Sequence, residues 1–128
     1  MIKMEGRLLN LGTVDSCDRK FAEDCKITFP NKVPVYWNFD RGDPRSVIGN
    51  ANIVRDDKGL ACKVNLTTDL LTEDEYYVGG YYTNVKKHDE KSICIINACA
   101  LRSMSIVPEP ADKNLKIKKE VSNDQKGV

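Results

Sequence analysis

The single histidine, His88, is the first residue to consider for acid–base chemistry. It lies in the run 86–91, where all five of the other residues are charged, and Asp89 follows it directly. A histidine that activates a nucleophile needs a serine or cysteine within hydrogen-bond reach and a partner that orients its ring. No spacing in the chain ties such a nucleophile to His88. The surroundings therefore favour a solvated turn residue over a catalytic base.

The five cysteines could bind a metal, but their spacing argues for buried free thiols. Their number is odd, and no two of them have CxxC spacing. Cys94 and Cys99 are an odd number of positions apart, so they would face opposite sides of one regular strand. With one histidine in the chain, we expect no metal site and no cofactor. The cysteines are Cys17, Cys25, Cys62, Cys94 and Cys99.

Three further motifs have structural explanations that we favour over chemistry. The glycine pair at 79–80 does not have the spacing of a phosphate-binding loop. The Arg-Gly-Asp triplet at 41–43 is read by integrins, but a match of three residues arises by chance. The acids at 73–75 follow Thr72 in a capping box, which explains them without paired-carboxylate catalysis.

Length and composition indicate one soluble domain. The chain has 128 residues, 41% of them hydrophobic and 30% charged, and a net charge of +1. That balance argues against a nucleic-acid partner. No apolar run could cross a membrane, and residues 1–6 lack the apolar core of a signal peptide. We therefore expect a protein kept in a reducing cytosol, with neither a nucleic-acid nor a membrane partner.

Alternating apolar and polar residues predict β-structure over much of the chain. The pattern is clearest over 33–40, where Pro34 favours an edge strand or a strand start. Residues 60–67 alternate in the same way, and a weaker strand over 47–54 precedes them. The connection 55–59 ends in a glycine, which supplies the positive φ that hairpin turns often need.

The second half of the chain predicts a short helix and further strands. The capping box at 72–75 would start the helix. Residues 81–85 are predicted as a strand and 86–91 as a polar turn. Residues 93–107 form one long strand, or two that meet near Asn97. The expected fold is mainly β, a β-rich α+β small barrel or sandwich with one or two short helices.

The composition changes at 108–110, where two prolines end the last long strand. Residues 112–128 hold five lysines, three acids and no aromatic residue. We therefore expect a β domain over 1–111 and a charged C-terminal tail or arm over 112–128. The residues of this tail that could contact a partner are Lys116, Ile117 and Lys118.

Two stretches carry motifs of a known family. Residues 33–49 hold an apolar strand that ends in Asn-Phe-Asp, followed later by Ile-Gly. Residues 101–111 contain Leu-Arg-Ser-Met-Ser-Ile-Val, two residues, then Pro-Ala. Together with residues 6–29 and the hairpin 56–60, these stretches follow one another in the same order as in the head maturation (prohead) protease of tailed bacteriophages, which the chain resembles. That family shares its fold with the herpesvirus assemblin proteases.

The catalytic positions of that family are replaced in this chain. The family's histidine falls on Phe39, whose ring cannot accept a proton. The window matching its nucleophilic serine, 76–82, contains no serine, and Val78 is the degenerate position. The acidic position is Ser103. Since losing any triad member removes most of the rate, the resemblance implies a protease fold without the chemistry.

The resemblance implies a non-catalytic virion protein, made in the bacterial cytoplasm and located in the capsid. It would be an auxiliary, decoration or assembly protein that binds the major capsid protein or other virion proteins; homo-oligomers stay open. Tyrosines give interfaces a large contact area at low entropic cost. Packing of the barrel's own end explains a tyrosine cluster equally well. The tyrosines concerned are Tyr76, Tyr77, Tyr81 and Tyr82.

Two alternatives remain at this stage. One is an active head maturation protease with an unorthodox nucleophile, toward which His88 would fold. Its candidate nucleophiles are Cys99, Ser103 and Ser105. The other is a small cytosolic binding domain unrelated to capsids. A neighbouring portal, terminase or major capsid gene would favour the capsid interpretations over this last one.

Overall fold

A computed structural model describes residues 2–37, 47–67, 73–108 and 112–120. These ranges form eight strands: β1 (Ile2–Asn10), β2 (Arg19–Thr28), β3 (Lys32–Trp37), β4 (Val47–Asp56), β5 (Gly59–Leu66), β6 (Glu75–Glu90), β7 (Ile93–Val107) and β8 (Lys116–Lys119). The described ranges contain no helix, and hence none that is long and apolar enough to cross a membrane.

Seven of the strands close into a barrel. The order around the ring is β1, β5, β4, β3, β7, β6 and β8, and β8 returns to β1. The contact between β3 and β7 is parallel, whereas the other contacts in the ring are antiparallel. β2 lies outside the ring and pairs in parallel with the first half of β7. The prediction of a mainly β small barrel is confirmed.

Apolar side chains that alternate along the strands fill the interior. In β5 the even-numbered residues from Leu60 to Leu66 are all buried, whereas Lys63 between them is exposed. Burial of this apolar surface, at roughly 25 cal/mol per Å², is the main stabilising contribution. The largest fully buried side chains are Met4, Leu8, Leu9, Leu60, Leu66, Leu101, Met104, Ile106, Ile117, Val33, Val35 and Val64.

The predicted hairpin between β4 and β5 is present, and one aspartate organises its turn. Asp56 Oδ1 accepts hydrogen bonds from the backbone N–H groups of Lys58 at 3.0 Å and Gly59 at 2.9 Å. Gly59 has a φ of +145°, as the turn requires. Arg7 on β1 pairs with both oxygens of the same carboxylate. The Arg7 hydrogen bond and the two backbone bonds hold the pKa of Asp56 below its usual range.

The short strand β8 completes the ring between β1 and β6. Ile117 at its centre is fully buried and lies opposite Gly6 on β1 and Tyr76 on β6. A Cβ atom at Gly6 would overlap the carbonyl oxygen of Lys116. Only glycine therefore allows β8 to approach β1 this closely.

This position corrects the prediction of a charged tail that cannot contribute to a core. Residues 112–120 belong to the folded barrel, because β8 is hydrogen-bonded on both sides and supplies a core side chain. The remainder of the predicted tail, 121–128, lies outside the described residues. The alternation of lysine and isoleucine in β8 presents one apolar side chain inward and the charges outward.

Two other predictions for the second half are wrong. Glu75, expected in the first turn of a helix, begins β6, while Thr72 lies outside the described residues. The expected polar turn over 86–91 is mostly strand, because β6 continues to Glu90. The turn is only the pair 91–92, whose φ values of 51° and 69° fit a type I′ hairpin. Pairing with β7 and β8 outweighs these local preferences, and 93–107 forms the single strand β7.

The replacement Ile117→Ala tests whether β8 is part of the cooperative barrel. It removes a fully buried side chain, so we expect the free energy of unfolding in urea to fall by about 2–5 kcal/mol. The matched control is Lys118→Ala in the same strand, whose exposed side chain should contribute less than about 1 kcal/mol. Equal midpoints for both variants would mean that residues 116–119 do not close the barrel.

The replacement Asp56→Asn tests the charge at the β4–β5 turn. Because the folded pKa of Asp56 is lowered from an ordinary 3.8, its contribution is fully present above pH 3.8. It is lost as the pH falls through the lower folded pKa. The difference in urea midpoint between parent and variant should be constant from pH 5 to pH 7, because the carboxyl is ionised in both the folded and the unfolded chain about one pH unit above 3.8. The difference should shrink by pH 3. A difference that grows toward pH 3 would contradict this assignment.

Candidate interaction site

The structure brings two predicted groups of contact residues together. β6 and β8 are neighbours, with Tyr76 opposite Ile117 and Tyr77 opposite Lys116. Lys118 lies opposite Glu75 in the same ladder. Residues that are far apart in the sequence therefore share one end of the barrel, and their juxtaposition follows from the closure by β8.

A cleft of about 330 Å³ opens at this end, and we call it the aromatic cleft. Trp37 remains 46% exposed and Tyr77 36% exposed, although most large apolar side chains of the barrel are buried. Exposed aromatic residues grouped in a cleft are typical of protein-binding surfaces. The lining residues are Trp37, Glu75, Tyr76, Tyr77, Ile106, Val107, Pro108 and Lys116.

The rim of the aromatic cleft carries charge. The Glu75 carboxylate lies between two lysines of β8, with Oε1 3.6 Å from Lys116 Nζ and Oε2 3.9 Å from Lys118 Nζ. All three side chains are well exposed, so water and salt screen these pairs and they add little stability. The three charges sum to one positive charge, which is available to attract an acidic group on a partner.

The other predicted contact residues do not line the aromatic cleft. The Tyr82 ring packs on Phe21 with centroids 5.1 Å apart, and burial raises the pKa of Tyr82. Tyr81, which precedes Tyr82 in the chain, lies on the opposite face of β6, and its register partner is Ser103. Ile117 is fully buried in the core, which corrects the expectation that it contacts a partner. Tyr82 is partly buried and packs against that core, in keeping with the alternative in which the tyrosines pack within the barrel.

The positions that match the protease family are parts of the packed wall. Val78 is 1% exposed and belongs to the core cluster. Ser103 is 3% exposed, and its hydroxyl has no hydrogen-bond partner among the described residues. Phe39 lies outside the described residues. Val78 has no group for proton transfer or nucleophilic attack, and the Ser103 hydroxyl is buried in the barrel wall.

His88 is held at the exposed end of the β6–β7 hairpin. Asn97 Nδ2 donates to His88 Nδ1 at 2.9 Å, which leaves the ring proton on Nε2, 3.4 Å from Glu90 Oε1. Its register partner is Ile95, and the nearest candidate nucleophile, Cys99, lies four residues farther along β7. At about 3.3 Å per residue, that separation is roughly 13 Å. The two candidate serines of β7 lie farther away still.

Three of the cysteines, Cys25, Cys62 and Cys99, are buried as expected, whereas Cys17 is exposed and Cys94 is partly exposed. All five are free, and the described part of the chain holds no cluster with metal-binding geometry. Burial raises the pKa values of Cys62 and Cys99 to about 12, which makes their reactive thiolate forms scarce. Cys94 packs against the same core as Cys99, so the expectation of opposite faces is wrong. An irregularity between Ile96 and Ala98 shifts the alternation of β7.

A second cavity, of about 390 Å³, lies where β1 and β6 separate beyond the end of β8. Its lining is mixed, with apolar residues such as Leu8 and polar ones such as Arg19, and it includes the Tyr82 ring. Asp15 orders the rim by accepting hydrogen bonds from two backbone N–H groups and from Arg19 Nε, the last at 2.9 Å. No sequence pattern predicts this cavity, because its lining comes from five separate parts of the chain.

Comparison with known proteins adds no identification: no family model, no curated protein and no solved structure matches this chain. The resemblance to the head maturation proteases therefore depends on the four sequence stretches alone and stays a prediction.

Gly80→Ala tests how closely Tyr82 packs in the wall of the second cavity. The added Cβ would lie 2.5 Å from the Tyr82 hydroxyl and 2.6 Å from a ring carbon, so the ring must shift and its packing on Phe21 is disturbed. We expect thermal unfolding to show a loss of about 1–3 kcal/mol. Tyr82→Phe is the matched control and should cost less than about 0.5 kcal/mol. If the control were the more damaging variant, the hydroxyl rather than the ring would be the important group.

Proposed function

We propose that this chain is a non-catalytic virion protein of a tailed bacteriophage. In this proposal it is an auxiliary, decoration or assembly component of the capsid and acts through protein–protein contacts. Its partner is the major capsid protein, which it binds at the aromatic cleft. The observation that carries the proposal is the exposure of Trp37 and Tyr77 on one cleft.

The chemistry of the aromatic cleft supports binding of a short segment of another protein. Tryptophan and tyrosine are the residues most often found at the energetic centres of interfaces. A volume of about 330 Å³ is at the lower end of pockets that enclose a ligand, so a few side chains suit it better than a domain surface. The excess positive charge of Lys116 and Lys118 over Glu75 favours a segment that also carries an acidic residue.

The arrangement of the former catalytic positions supports the non-catalytic part of the proposal. Val78 and Ser103 are packed in the barrel wall, and His88 is bonded to Asn97 at a distant hairpin. A triad needs a nucleophile and a base in hydrogen-bond contact. Capsid processing should therefore be unchanged by His88→Ala, and loss of processing in that variant would favour the protease alternative.

The first experiment is mass spectrometry of purified particles from the phage that encodes the chain. We expect the intact chain in mature or precursor heads at a fixed ratio to the major capsid protein. Absence from both kinds of particle would overturn the proposal. Presence only in precursor heads would assign the chain to assembly rather than to decoration.

The double replacement Trp37→Ala and Tyr77→Ala tests the aromatic cleft itself. If both rings are central contacts, the dissociation constant for the capsid should rise about tenfold or more and the copy number per particle should fall, since a loss of 1.4 kcal/mol or more is usual for such residues. Val54→Ala is the control, because Val54 is 62% exposed but lies near the end of β4, whereas Trp37 lies beside the start of that strand. A normal copy number in the double variant, with a folded barrel, would exclude the aromatic cleft as the capsid contact.

A further inference from the structure

Over 84–90, the outer edge of β6 has no strand paired to it among the described residues. β7 occupies one side of β6, and β8 pairs with the other side only over 75–77. Beyond that point no described strand covers this side, and residues 84–90 are all exposed. Such an edge presents backbone N–H and C=O groups that can pair with another strand.

The end of this edge, 86–90, has the sequence Lys-Lys-His-Asp-Glu. Its charge pattern is self-complementary when the segment is read in the opposite direction. In an antiparallel pair of two copies with His88 opposite itself, Lys87 faces Asp89 of the second copy. In the same register Lys86 faces Glu90, so a two-fold pair makes four contacts between opposite charges.

The hydrogen-bonding phase of β6 selects that register. The two-residue turn after Glu90 makes Glu90 and Ile93 a bonded pair, so Glu90 and His88 point their backbone groups toward β7. The backbone groups of Lys87 and Asp89 then point outward. Only residues whose backbone groups point outward can form hydrogen bonds across a new antiparallel contact, and pairing Lys87 with Asp89 satisfies this condition. The neighbouring registers that also satisfy it place Lys87 opposite Lys87, or Asp89 opposite Asp89, so that like charges face each other.

We infer that the edge 86–90 is a self-association surface, on which two copies of the chain join their barrels into one continuous sheet. Lysines are a common protection of a sheet edge against pairing, because like charges repel a second copy. The edge 86–90 carries both signs, so it would attract a second copy, and no two like charges would face each other. The inference does not depend on the proposed function, because it concerns a different strand region from the aromatic cleft.

The side-chain geometry agrees with a joined sheet. Residues 86, 88 and 90 alternate with 87 and 89, so each face of the sheet receives two of the four ion pairs. The hydrogen bond from Asn97 and the contact with Glu90 hold the His88 ring on its own hairpin. Five residues per copy make a small contact, so the dimer is weak and its formation depends on salt.

Charge reversal tests the charge complementarity of this edge by sedimentation equilibrium. The variant Lys86→Glu with Lys87→Glu has an entirely acidic edge, and Asp89→Lys with Glu90→Lys has an entirely basic one. Each variant alone should be monomeric, with a dissociation constant at least about tenfold above that of the parent chain. Their equimolar mixture should form a heterodimer, because every facing pair is again of opposite charge.

Circular dichroism checks that both charge-reversed variants keep the barrel, as expected for exposed side chains. The parent dimer should weaken about tenfold between 50 mM and 500 mM NaCl. A parent chain that is monomeric at millimolar concentration in low salt would overturn the inference. So would a mixture of the two variants that stays monomeric, or either variant dimerising as well as the parent.

A cysteine at the two-fold axis gives a second, independent measurement. With the exposed Cys17 replaced by serine, His88→Cys should form a disulfide-linked dimer under a mild copper oxidant, because residue 88 faces itself in a close, non-bonded pair. Val85→Cys, on the same exposed edge, is the control and should not crosslink, since Val85 faces residue 91 of the second copy. Equal crosslinking of both variants would indicate random collision and would reject this register.

Discussion

Closure of the barrel by β8 is the constraint on which the other features of this protein depend. Without β8, the backbone groups of β1 and β6 that now bond to it would face each other across a gap. Two residues make the closure possible. Gly6 leaves room for the backbone of β8, and Ile117 supplies the apolar side chain that seals the interior at that point. The ring is therefore completed by a strand of only four residues.

The shortness of β8 explains the three surfaces that we describe. Where β8 is present, its lysines stand beside Tyr77 and form the charged rim of the aromatic cleft. Where it ends, β1 and β6 separate and leave the second cavity, which Leu8 and Tyr82 line. Farther along, β6 continues with an exposed outer edge that no described strand covers. One local feature of the ring thus sets the positions of all three.

The long strand β7 explains why the candidate catalytic groups do not meet. Cys99, Ser103 and His88's partner Ile95 are spread along a single extended strand, which separates its residues by about 3.3 Å each. A strand cannot bring distant members of its own sequence together. Catalytic contact would need another element to carry a base toward β7, and the described neighbours of Ser103 and Val78 serve packing instead.

The sequence by itself determined the features that depend on adjacent residues. Alternation located β3 and β5, and the glycine at position 59 located the hairpin, because a strand pattern and a turn are local properties. It also singled out Tyr77 and Lys116 as contact residues without showing that they are neighbours. Only the tertiary structure decided that Glu75 begins a strand, that Ile117 enters the core and that a cavity opens beside Leu8. The physical reason is that each of these depends on pairing between distant strands, whose hydrogen bonds and burial outweigh the local preferences of a few residues.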